Sequence, residues 1–212
     1  MNLKEFSQEI SIIILAAVIL GLSVSFLNSE ILLPATISFL VIISLNILAK
    51  KLLAYYLEAD IKPKFWCMYQ YWFTKRSHFK KPIPMLWLPL VLSLLFRGAL
   101  GLFGWFGILE FDVKPKIERV SRRHGLYRFS QMTDWHISLI AAFGIIVNLI
   151  AAIIGYILGF ETFTTLSIYF AVWSILPIAS LDGSKILFGS KVLWLTLFII
   201  ISIFLGYSLV VI

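Results

Sequence analysis

Long apolar runs separated by short polar stretches set the plan of this chain. The first uncharged run lies between Glu9 and Glu30 and predicts a span at about 10–29, since a helix of ~20 apolar residues crosses the ~30 Å of a bilayer's hydrocarbon. The second runs from about 31 to 57 and carries Asn46, Lys50 and Lys51 in its latter half. Three more follow at about 136–160, 163–188 and 192–212, with Glu161 the only charge between the first two of them. A cleaved signal peptide competes for the first run. Ser-Gln-Glu precedes that run in place of a cationic cluster, however, and no convincing Ala-x-Ala follows it.

Between 58 and 135 the pattern changes. Residues 58–83 are basic and aromatic, with Lys62, Lys64, Lys75, Arg76, Lys80 and Lys81 interleaved with Trp66, Tyr69, Tyr71, Trp72 and Phe73, as suits a membrane interface. The stretch 84–109 is apolar again but holds Arg97 and glycines at 98, 101, 104 and 107, a pattern that suits a broken, re-entrant element or a sixth segment. In 110–135 six more Lys and Arg appear, and 117–120 with 126–129 flank Ser-Arg-Arg-His-Gly as a small β-hairpin.

Composition gives this reading its solvent. Of 212 residues, 60% are apolar and 14% charged, against roughly a quarter charged in a soluble domain. The mean hydropathy is +0.96. The fold class expected is therefore an all-α polytopic bundle with a small cytoplasmic β-hairpin, one membrane domain over 1–212, with lipid as its main partner. The net charge of +7 raises nucleic acid as a partner, but the basic residues sit in two loops beside apolar segments, which points to a membrane surface. Both loops belong on the cytoplasmic side if 84–109 does not cross. That gives five spans in the cell membrane with the amino terminus inside. The lone Cys67 excludes an internal disulfide.

The candidate chemistry lies on the second and fifth spans. Asp182 is an intramembrane carboxylate or an interfacial cap, since Gly183, Ser184 and Lys185 follow it. Around it the chain reads Ser174-Ile-Leu-Pro177-Ile-Ala-Ser-Leu-Asp182-Gly183, and upstream it reads Gly144-Ile-Ile-Val-Asn148. These elements, in this order over residues 40–190, resemble the site-2 protease family of intramembrane zinc metalloproteases. The resemblance implies that Asp182 descends from the aspartate ligand of zinc. It also implies that Gly144 and Asn148 match the family's G-P-x-x-N element, with Ile145 in place of proline, and Ser174 its N-x-x-P asparagine.

The family's H-E-x-x-H should fall on the second span, where i and i+4 put two histidines on one face and a glutamate beside the metal. The aligned positions are Asn46, Ile47 and Lys50. Asparagine is a poor zinc ligand, isoleucine cannot deprotonate water, and an ammonium has no lone pair and repels a dication. The expectation is thus a catalytically inactive homologue with no cofactor and no catalytic residue. It would keep Gly144, Asn148, Ser174, Pro177, Asp182 and Gly183 as relics of the site, and bind transmembrane helices of other proteins through Asn148, Ser174 and Gly144. The competing class is a zinc metalloendopeptidase with displaced ligands, for which His78, His124, His136 and Asp182 are the available set. Their spacing shows no i, i+3 or i+4 regularity. Transporter or channel function lacks paired repeats and intramembrane charges to support it. The sharpest expectation is an ion pair between Lys50 and Asp182 with Asn46 hydrogen-bonding the same carboxylate.

Overall fold

A computed structural model describes residues 3–25, 28–70, 78–96, 104–116 and 132–211. In order these form α1 (Leu3–Ser25), α2 (Ser29–Tyr56), β1 (Ala59–Phe65), β2 (Cys67–Gln70), β3 (His78–Pro84), a 3-10 turn (Met85–Trp87) and α3 (Leu88–Leu95). Then come β4 (Leu109–Pro115), α4 (Asp134–Ile157), α5 (Glu161–Ile175), α6 (Asp182–Gly189) and α7 (Lys191–Val211). Among the described residues four helices are long and apolar enough to cross a membrane, at Phe6–Ser25, Glu30–Tyr56, Asp134–Ile157 and Lys191–Val210.

The expected span at 163–188 is two helices instead of one. Pro177 has no N–H to donate and biases the residue before it toward extended backbone. Leu176 is accordingly extended, and Ala179 has a left-handed φ of 46°. Gly183 then lets the chain re-enter helix hard against the end of α5, because a Cβ there would lie 2.2 Å from the Ile175 carbonyl oxygen. Asp182 is therefore the first residue of a short helix, where the N-terminal N–H groups and the helix dipole favour a carboxylate.

The described strands lie elsewhere than expected, and the hairpin at 117–129 falls outside the described residues. β1 and β4 pair antiparallel with Asp60 opposite Lys114, Lys62 opposite Asp112 and Lys64 opposite Glu110, so every facing charged pair is of opposite sign. The other face of this sheet carries Ala59, Ile61 and Phe111 into a core shared with Ala141, Ile145 and Ile175. β2 pairs with β3 in a second two-stranded sheet. Lys116 donates its N–H to the Glu58 carbonyl at 3.0 Å, so the chain that departs after α2 returns to the same end of that helix. Within 84–109 the described helix is confined to the short turn and α3, where Ser93 donates to the Ser23 carbonyl of α1 at 2.6 Å. Phe106 then packs edge-on against Phe39 in mid-α2, with ring centroids 5.1 Å apart.

Candidate functional site

The polar site is built where α2, α4, α6 and the β1–β4 sheet meet. Asn46 and Lys50 are one turn apart on α2 and share a face. α4 closes on that face because residue 144 is glycine: a Cβ there would sit 2.7 Å from Lys50 Cε and 3.0 Å from Asn46 Nδ2. Lys50 Nζ donates to Asp182 Oδ2 across 132 residues of sequence, and the two side chains are only 8% and 7% exposed. The ammonium also lies 4.7 Å from the centre of the Phe111 ring, and that of Lys185 lies 3.7 Å from it while donating to the Phe111 carbonyl.

A second acid completes the site. Glu110 of β4 is buried and accepts a hydrogen bond from Ser180, and its other oxygen lies 3.1 Å from Lys64 Nζ. Lys64 also reaches Asp112 at 3.0 Å. Burial pulls the Lys64 ammonium down, but Asp112 and Glu110 pull it up by more, and its pKa is raised. Three cations, Lys50, Lys64 and Lys185, thus stand among three carboxylates, Asp182, Glu110 and Asp112. A cavity of about 30 Å³ adjoins this cluster, lined by Asn46, Lys50, Glu110, Trp173, Ser174 and Asp182 among others.

Sequence reasoning located Asn46, Lys50 and Asp182 and missed Glu110, Lys64 and Lys185. The expected bond from Asn46 to the carboxylate is not made, since Asn46 Nδ2 has no hydrogen-bond partner in the protein. Ile47 is buried, belongs to the apolar cluster that includes Phe39 and Phe170, and also lines the cavity. Asn148 is wholly buried and Gly144 is enclosed by α2 side chains, so neither is open to a partner helix. Ser174 is half-buried at the cavity and Pro177 is exposed. Lys51, the next residue of α2, pairs with Glu9 of α1. His136 contacts Thr133 at the start of α4 and does not line the cavity. His124 and the side chain of His78 lie outside the described residues.

The donor set does not fit zinc. Asn46 and Ile47 supply no good ligand, and the two carboxylates at the cavity, Asp182 and Glu110, each contact an ammonium. Among the described residues no three His, Cys, Asp or Glu side chains are grouped closely enough to hold a metal ion. No family model, curated protein or solved structure matches the chain.

Proposed function

We propose that this chain is a multi-pass membrane protein with a site-2-protease-like arrangement that has no proteolytic activity and serves as a binding or regulatory partner of other transmembrane helices. The observation that carries the reading is the buried Lys50–Asp182 pair. By the resemblance, Lys50 stands at the second histidine position and Asp182 at the third ligand, so a fixed positive charge occupies the place of a dication. A buried carboxylate without a partner is costly, and the ammonium removes that cost. The chemistry of metal-bound water is lost with the same change, since no side chain at 46, 47 or 50 can bind the metal or take the proton.

The membrane reading is supported by the four apolar helices of spanning length and by exposed residues such as Leu33, Ile37, Ile157, Ile203 and Val210, which water would disfavour. The return of the chain to one end of α2 at Glu58 and Lys116 is consistent with both basic loops facing the cytoplasm. For a partner helix, the supporting feature is a pair of adjoining hollows of about 520 and 320 Å³ between α2 and the α4–α5 corner, both bounded by Ile37, Ser38, Phe160 and Phe163. Metal analysis of protein purified in mild detergent tests the inactive reading. Zinc well below one equivalent is expected, and one equivalent that survives dialysis overturns it.

A further inference from the structure

Three polar atoms around the cavity have no hydrogen-bond partner in the protein: Asn46 Nδ2, Asp182 Oδ1 and Glu110 Oε1. They come from α2, α6 and β4, their residues are 4%, 5% and 4% exposed, and all three residues line the same cavity. The Lys64 ammonium, 3.1 Å from Glu110 Oε1, makes an ion contact without hydrogen-bonding geometry. Leaving such groups bare costs ~1–3 kcal/mol each, more for charged ones, so a ligand that satisfies them together is strongly favoured.

Counting donors and acceptors selects that ligand. Two carboxylate oxygens and an amide NH2 without hydrogen-bond partners call for a molecule that can donate to the oxygens and accept from the amide. Water does both, with two O–H donors and two lone pairs. An ammonium ion has no lone pair for the amide, an alkali cation would meet the amide hydrogens, and an anion would face two carboxylates. The size agrees, because a buried water needs a cavity of roughly 10–15 Å³ and 2–4 polar partners, and this one measures about 30 Å³.

We propose that the cavity is a binding site for a structural water that donates to Asp182 and Glu110 and accepts from Asn46. This water joins the buried Lys50–Asp182 pair to Glu110, and through Lys64 to Asp112, whose side chain is 55% exposed. The inference stands on the geometry of the cavity and does not depend on the loss of proteolytic activity.

Crystals of the wild-type protein grown in a lipid mesophase and diffracting to about 2 Å or better decide it. The expected result is a compact density within ~2.6–3.2 Å of at least two of the three atoms, unchanged when sodium is replaced by choline. A cavity closed by direct contact of the side chains, or density that vanishes without sodium because Asn46 presents its carbonyl to a cation, overturns the proposal. A second readout uses infrared difference spectra of the reconstituted protein in H2-16-O and H2-18-O. A bonded O–H band that shifts with the isotope and disappears in Asn46→Leu is expected; a wild-type spectrum without such a band, or its retention in a folded Asn46→Leu, overturns it.

Discussion

Two regions of α2, about a dozen residues apart and so ~20 Å along the helix, are finished in opposite ways. Around Asn46 and Lys50 the buried carboxylates Asp182 and Glu110 each meet an ammonium within the chain, and glycine at 144 lets α4 close over Asn46 and Lys50. Around Leu33 to Val41 the surface is apolar and left open, with Ile37 and Leu33 mostly exposed beside hollows bounded by α4 and α5. The difference shows where the chain has committed its interactions. The polar end pairs its buried carboxylates from inside and has room for little more than water, whereas the apolar end is the place where an outside hydrocarbon surface can add contact.

Substitutions should separate the two ends by size of effect. The largest loss is expected from Lys50→Met, which strands the Asp182 carboxylate in the interior; breaking such a pair costs ~3–5 kcal/mol, and unfolding in detergent would measure it. A loss under ~1 kcal/mol would mean that the polar end is open to water and that the contrast is illusory. Gly144→Ala comes next. Its methyl would have to displace Lys50 and Asn46, and overpacking of this kind costs ~1–3 kcal/mol. Lys51→Met sharpens the comparison on the same helix, since its pair with Glu9 is 28% and 14% exposed and is expected to be worth about 1 kcal/mol or less after solvent screening. The smallest effect belongs to the apolar end. Ile37→Ala should leave stability within ~0.5 kcal/mol while lowering crosslinking yield between a photoreactive group at Val41 and a bound helix. A large stability loss there would show that the hollow is core.

How far this contrast is legible in the sequence depends on the range of the signal. The meeting of Lys50 and Asp182 follows from the order of short motifs and from the expense of a lone intramembrane carboxylate. The expectation of a broken element at 84–109 rests on Arg97 and the glycines, and residues 97–103 lie outside those described. Glu110 carried a comparable signal, an acid set between Leu109 and Phe111 after a long apolar run, but proximity to the basic stretch made it read as loop. The β1–β4 sheet was legible only as a pair, because Asp60, Lys62 and Lys64 match Lys114, Asp112 and Glu110 in reverse order and neither strand alone shows it. Pairing across some fifty residues leaves no periodicity for local reasoning to detect. The division of 163–188 was signalled by Pro177 and Gly183, yet hydropathy alone ran straight through both.

The double-mutant cycle of Lys50→Met and Asp182→Asn, read by reversible unfolding in detergent, tests the central claim most directly. If the ammonium and the carboxylate form one buried unit, the double variant recovers much of what either single change loses, with a coupling of about 2–3 kcal/mol. Losses that simply add, to within ~0.5 kcal/mol, would contradict the pair and with it the reading of the site as closed to metal.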